Sequence, residues 1–258
     1  MALRRRYKFI LWVLSLVSVL MLWYYVSELG IVSSLILPSP VRVAERIFIS
    51  VSTGSLFTEI WISLARIVVG FTLAFLVALP LALLAGSNEI VQNILKPWVQ
   101  LLQPIPGIAW VPFAFLLFGL SNNAAIFVIA VAAFFPIFIN VMNGVQMFDR
   151  HLINVARSLG ANRLQVIYKV LIPGIFPELV AGSRISIGFA WRAVVAAEMI
   201  GLPEGLGSML IQAKNTAQTD IVIASMLILG IIMIFLEKII FDTLDKEIAR
   251  WKGTEEGD

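Results

Sequence analysis

Four ionisable residues, Arg66, Arg184, Arg192 and Glu198, lie inside long apolar stretches of this 258-residue chain. Charge placed in hydrocarbon is costly, so such side chains face protein or water, where they neutralise one another or line a polar route. Arg184 and Arg192 are eight positions apart, which on a 3.6-residue helix sets them about 80° apart around the axis and roughly 12 Å along it. That spacing would give a positive stripe suited to an anion. Glu198 follows Arg192 by six positions, about 240° around the same helix, so the two pair poorly within it. Its partner must come from elsewhere, and Arg66 stands at a matching depth in a different apolar run. Arg66 and Glu198 are thus expected as an interhelical ion pair. For Arg192 three readings stand: an anion path, neutralisation by Glu198 of a neighbouring copy, or contact with an aromatic face.

Other reactive chemistry is sparse. The chain has one histidine, His151, and no cysteine. Thiolate nucleophiles, disulfides and thiolate metal sites are excluded, and a histidine-based metal site or hydrolytic triad is disfavoured. No G-x4-G-K-[ST] phosphate loop occurs, so ATP is not expected to bind here. The expectation is a non-catalytic chain with no metal or cofactor site of its own.

A polar island from Asn154 to Pro173, NVARSLGANRLQVIYKVLIP, separates two apolar runs. Leu152, Val155, Ala156 and Leu159 recur at helical spacing while Arg150 and Arg157 fall off that stripe, the pattern of a short amphipathic helix. Gly160 supplies a position that ends it with positive φ. Asn162 is placed to cap a second short helix carrying Leu164, Ile167 and Val170, and Pro173 opens the next segment. Helix, turn, helix with an apolar edge suits a docking loop; with Arg163 and Lys169 added, the same residues would also suit a hairpin lying on lipid headgroups.

The elements that must position these residues follow from composition. At 60% hydrophobic and 14% charged residues, the chain has more apolar surface than a soluble domain could bury, so lipid is its solvent. The net charge of +3 reflects basic residues at membrane flanks, and nucleic acid is not implied. Six spans are expected, near Phe9–Ser27, Ile60–Ala85, Ile94–Phe118, Ala124–Val145, Gly174–Ile200 and Ile221–Phe241, each close to the ~20 residues needed to cross hydrocarbon. The first, after Arg4, Arg5, Arg6 and Lys8, reads as a retained anchor without a small-x-small cleavage site. An amphipathic stretch within Glu28–Phe57 is expected at the membrane surface. The basic flanks, including the 146–172 loop and Lys246, Arg250 and Lys252, place both termini in the cytoplasm.

In the third span Pro104, Pro106 and Pro112 surround Gly107, and the carbonyls they strip of donors require a bundle or a wet cavity. Either the prolines line a path or they only kink the helix to fit its neighbours. Gly70, Ala74 and Ala78, and then Ala181, Gly182, Ser183, Ser186 and Gly188, let helices approach closely.

The spacing of Ala156, Gly160, Val170, Ile172 and Pro173 resembles the cytoplasmic signature E-A-A-x3-G-x9-I-x-L-P, the ATPase-docking loop of ABC importer permeases. With Leu37-Pro38-Ser39-Pro40, Ser63-Leu64-Ala65-Arg66, Phe135-Pro136-Ile137, Ala196-Ala197-Glu198 and Gly205-Leu206-Gly207, the chain looks like the nitrate, sulfonate, taurine and bicarbonate group of these permeases. It departs at Asn154, where an acidic residue is usual, and at Val155, where alanine is usual.

The resemblance implies an all-α, type I importer permease with a coupling-helix loop at Asn154, Val155, Ala156, Arg157, Leu159, Gly160 and Arg163. It implies a translocation path for which Pro104, Pro106, Arg184, Gly188 and Arg192 are the candidates. The implied partners are a second copy of the chain, two ABC ATPase subunits carrying ATP and Mg, an external solute-binding protein and membrane lipid. The organisation expected is an anchor and external amphipathic segment over 1–57, a permease core over 58–245 and a cytoplasmic tail over 246–258. The solute is left open between a small oxyanion and a neutral or heterocyclic vitamin precursor. A secondary transporter is the other class; it would need a midplane coupling site and commonly shows inverted repeats, neither of which is seen.

Overall fold

The computed structural model describes residues 2–30 and 32–251, and every regular element among them is helical. Lys252 and the rest of the expected tail, 253–258, lie outside the described residues. Helix α1 spans Ala2–Glu28. Its apolar stretch buries nothing against the rest of the chain, and it is tied down near its end by Trp23 Nε1, which donates to the Pro38 carbonyl at 3.0 Å. Lipid satisfies such a helix as well as protein does.

Helix α2, Pro40–Ser52, starts where Ser39 accepts from the Arg42 amide with proline at N1, a favoured start. It is the amphipathic element expected before the second span, and Arg46 Nε bonds Asp220 Oδ2 at 2.7 Å.

The core is built by α3 (Ser55–Ser87), α6 (Asn122–Met147) and α10 (Phe176–Gly201). Along α3 the buried positions include Gly70, Ala74, Ala78, Ala82 and Gly86, a stripe of small residues at intervals of four that lets α6 come close. A Cβ on Gly70 would lie 2.6 Å from Ile129 and one on Gly86 2.5 Å from Val145, so α3 and α6 run in parallel. Helix α10 lies antiparallel to α6, since Gly182 meets Asn140 while Ser186 Oγ donates to the Ala133 carbonyl further along.

Parallel neighbours require the chain to cross back between them. That return is not the single span expected over Ile94–Phe118. It is α4 (Glu89–Leu102), a 3-10 turn over Gly107–Trp110 and α5 (Val111–Phe118), with a 94° bend between its halves. Pro104 and Pro106 cannot donate to the preceding turn, so the helix stops at Leu102. With this bent pair counted as one, the described helices supply up to 6 spans.

The other boundaries shift modestly. The second span begins at Ser55 rather than Ile60. The fifth starts after a break at Ile175. A short α11, Leu206–Asn215, precedes α12, which spans Thr219–Trp251.

Candidate functional site

Three places carry the polar residues singled out in the sequence. The first is the end of the bundle where α3, α6 and α10 meet the loop 202–205. Glu198 is fully buried and Arg66 is 5% exposed, and Arg66 Nη1 donates to Glu198 Oε1 at 2.7 Å. Arg66 also donates through Nε to Asn122 Oδ1 at 2.9 Å and through Nη1 to the Glu204 carbonyl at 2.7 Å. Ser63 Oγ lies 2.8 and 3.0 Å from the two carboxylate oxygens of Glu198 and accepts from the Leu206 amide at 3.0 Å. The Gly207 amide donates to Glu198 Oε2 at 2.9 Å, and the Gly205 amide donates to the Glu59 carboxylate. A buried ion pair is tolerable when its remaining donors and acceptors are satisfied in this way.

Position on α3 explains part of the set. Glu59, Ser63 and Arg66 are spaced four and three apart and therefore share a face. Sequence spacing does not tie Ser63, Asn122, Gly205 and Gly207 to the pair. Ser63-Leu64-Ala65-Arg66 and Gly205-Leu206-Gly207 were visible as motif pieces, but nothing local shows that they converge on one carboxylate.

The second place is the loop at the opposite end. Helix α7, Arg150–Ser158, is capped by Asp149, whose side chain accepts from the His151 amide at 2.8 Å. Gly160 has φ +88°, and the Ala161 amide donates back to the Ala156 carbonyl at 3.0 Å, closing a Schellman-type end. Asn162 and Gln165 then form a reciprocal capping box at the start of α8, Arg163–Val166, which satisfies two orphan amides. A π-helical segment, Ile167–Leu171, and the three-residue α9, Ile172–Gly174, lead into α10.

Leu152, Val155, Leu159, Leu164 and Tyr168 are all exposed, Leu159 to 84%. Asn154, Arg157 and Arg163 are exposed beside them. A notch of about 380 Å³ is lined by Ala156, Leu159, Gly160, Ala161, Gln165, Lys169 and Val170. These apolar side chains, concentrated on a capped hairpin, form an exposed patch.

The third place is the broken crossing. Gly107 packs against α6 and α10, since a Cβ there would meet Ala193 at 3.6 Å and Ala132 at 3.7 Å. Pro104 and Pro106 are exposed beside it. Between this turn, α6 and α10 lies a cavity of about 190 Å³ whose lining includes Gln103, Trp110, Phe135, Asn140, Ile185 and Phe189.

Helix α10 carries its two arginines on different faces. The Arg184 guanidinium carbon lies 4.7 Å from the Phe241 ring centroid, and Gly188 faces Met233, so both look toward α12. Ala181, Ile185, Phe189 and Arg192 are exposed along another face. Arg192 lies 5.6 Å over the Phe189 ring. The continuous stripe expected of Arg184 and Arg192 does not form, because the 80° between them is enough for α12 to take one and leave the other.

Comparison with known proteins decides the class. Residues 78–250 match the family described as the binding-protein-dependent transport system inner membrane component. The chain belongs to this family. The permease is 33% identical to the taurine transport system permease protein TauC of Escherichia coli, over 93% of this chain and 88% of that protein. It is 34% identical to the nitrate import permease protein NrtB of Synechocystis, over 79% and 78% of the two chains. Its fold matches the MetNI methionine ABC transporter, solved in inward facing conformations, with a TM-score of 0.66 at 23% identity, covering 75% of the permease and 95% of that chain. It is thus a multi-pass inner-membrane permease subunit of an ABC importer with the type I fold. Its family is one of transport components rather than enzymes.

Proposed function

We propose that this permease works as a pair of copies forming the path for a small oxyanion, delivered by an external solute-binding protein and driven by two ATPase subunits that bind ATP and Mg. The observation that carries the reading is the hairpin from Arg150 to Val166, with Leu159 and its neighbours exposed on a capped frame. The ATPases dock on Asn154, Val155, Ala156, Arg157, Leu159, Gly160 and Arg163. That end of the bundle, with both termini, is cytoplasmic; the Arg66–Glu198 end is external. Residues 58–245 act as the core, with 1–57 as anchor and external amphipathic segment.

ATP-driven closure of the ATPases draws the two hairpins together and rocks the spans between inward- and outward-open states. The path runs along the face of α10 that bears Ile185, Phe189 and Arg192, past the break at Pro104 and Pro106. Arg192 is exposed in the single chain, yet a guanidinium well inside a span does not face hydrocarbon. Water in the path or a second copy must cover it. Arg184 and Gly188 serve packing on α12 instead. An oxyanion is supported by Arg192 and by the taurine and nitrate permeases among the relatives.

The test is co-purification of the permease with its ATPase, followed by uptake of taurine, alkanesulfonates, nitrate and bicarbonate into proteoliposomes with the solute-binding protein present. Uptake of one of these anions that depends on ATP and on the binding protein is the expected result. Uptake driven by an ion gradient without an ATPase would sink the reading, and uptake of only neutral solutes would sink its oxyanion part.

A further inference from the structure

A larger cavity of about 420 Å³ lies between α3, α4 and α6, and transport as described above makes no use of it. Every residue lining it is apolar or aromatic, Leu73, Val77, Leu95, Trp98, Phe134 and Trp110 among them. An apolar cavity stays dry, so within a bilayer its occupant is hydrocarbon or protein. We propose that it holds one acyl chain of an anionic phospholipid of the cytoplasmic leaflet, with the headgroup at Lys96; the choice of leaflet rests on the importer reading above.

Length, place and charge select this occupant. The α6 wall runs from Phe127 to Phe138, which at about 1.5 Å per residue is roughly 17 Å, close to one leaflet's half of the ~30 Å hydrocarbon core. Gly86 of α3 meets Val145 of α6, so α4 starts at the hairpin end of the bundle, and its residues Leu95, Trp98, Val99 and Leu102 face the cavity. The 94° bend against α5 keeps the two halves of the crossing from both standing upright. Helix α4 is the oblique half: Glu89, Asn93, Lys96 and Gln100 are exposed at intervals of four, three and four, a polar face for headgroups opposite an apolar face for hydrocarbon. Lys96 sits one turn before Val99 and makes no ion pair among the described residues, while Trp98 is 62% exposed, as suits a tryptophan at the membrane interface.

Trp110 lines this cavity and also the smaller one at the break. The acyl chain therefore packs on the turn that shapes the proposed path, and the lipid acts as a support for the broken crossing.

The experiment photocrosslinks the permease–ATPase complex in phosphatidylcholine nanodiscs doped with a phosphatidylglycerol probe that carries a diazirine midway along one acyl chain. Labelled peptides are mapped by mass spectrometry. Helix α1, whose apolar stretch buries nothing against the rest of the chain, reports labelling by bulk lipid. Peptides holding 95–102 and 127–138 should be labelled well above α1. A phosphatidylcholine probe, or Lys96→Gln with the first probe, should reduce that labelling about fivefold, the loss of one lysine's attraction for an anionic headgroup. Ala130→Phe and Val77→Phe each put a ring into the space from a lining position and should return labelling to the level of α1; Val77 is 52% exposed, so its variant spares the packed core. ATPase co-purification reports that each variant assembles. Wild-type labelling of these peptides no stronger than that of α1 would overturn the proposal, and import by such a complex would leave the importer reading standing. Equal labelling by the two probes would overturn the anionic headgroup. Benzoylphenylalanine placed at Val77 should crosslink to lipid; crosslinks between two permease copies instead would show that protein fills the cavity and would overturn the proposal. Strong, headgroup-dependent labelling of an assembled complex that imports no solute would remove the importer reading and support the lipid site.

Discussion

Gly205 lies so close to Glu198 that a Cβ built on it would stand 2.2 Å from the carboxyl carbon. Its φ of +114° is also one that side-chain-bearing residues rarely adopt. The loop before α11 can close over the buried carboxylate because this position has no side chain. Gly207 has the same task, since a Cβ there would lie 2.8 Å from Glu198 Cβ and 2.5 Å from the Val195 carbonyl.

Gly205→Ala is expected to destabilise the permease by more than the ~1–3 kcal/mol of a strained backbone alone, because the carboxylate must also move. Gly230→Ala is the comparison, since nothing lies within 4 Å of a Cβ there and alanine suits a helix interior. Thermal unfolding of the purified protein in detergent should show a marked drop for the first and little change for the second. Equal behaviour would mean the loop is not seated on Glu198 as described.

Arg66→Met and Glu198→Gln should each be severe, on the order of 3–5 kcal/mol, because each leaves a buried partner without its counter-charge. The double variant should cost less than the sum of the two. Chemical denaturation of all four forms gives the coupling energy; additive losses would show that the pair does not act as a unit. Ser63→Ala should cost about 1–3 kcal/mol, since it removes one donor to Glu198 and the acceptor for the Leu206 amide.

Leu159→Ser should leave folding intact, as the side chain is 84% exposed, yet reduce ATPase co-purification and uptake. Gly160→Val acts through the backbone instead. Nothing lies within 4 Å of a Cβ there, but φ is +88°, so valine strains the turn by about 1–2 kcal/mol, while Gly160→Asn is tolerated better. Uptake and pull-down of the ATPase with both variants distinguish the contact from the turn. Full uptake with Leu159→Ser and Gly160→Val would count against this hairpin as the docking site.

Phe148 packs its ring where Gly174 has no side chain: a Cβ on Gly174 would lie 2.0 Å from the ring. This contact joins the chain entering the hairpin to the chain leaving it. Gly174→Ala should lower thermal stability and uptake together, and combining it with Phe148→Ala should restore part of the stability by making room. A double variant no better than Gly174→Ala would show that the ring is not the obstacle.

The spans, the hairpin and the expectation of an Arg66–Glu198 pair could all be read from the residues. Apolar runs long enough to cross hydrocarbon, and glycine and asparagine at the turn of the hairpin, act over a few residues, so their meaning is local. The third span was legible only in part. Three prolines forecast a break, but the 94° bend depends on α6 and α10 accepting Gly107 between Ala132 and Ala193. Helical angle sets Arg184 and Arg192 about 80° apart, but it does not say which neighbour covers which face.

By itself, then, the sequence determined a polytopic helical chain with a capped polar hairpin between its spans, because backbone hydrogen bonding in lipid leaves few alternatives to a helix. Tertiary structure alone decided that Ser63, Arg66, Asn122, Gly205 and Gly207, drawn from α3, α6, α11 and the loop before it, gather around Glu198 of α10. It also decided that Phe241 takes Arg184 while Arg192 stays on an open face beside a cavity. Such assignments depend on how closely helices approach and turn against one another, which is set by small residues such as Gly70, Ala74 and Gly86 meeting their particular partners. Spacing along the chain carries no record of those partners.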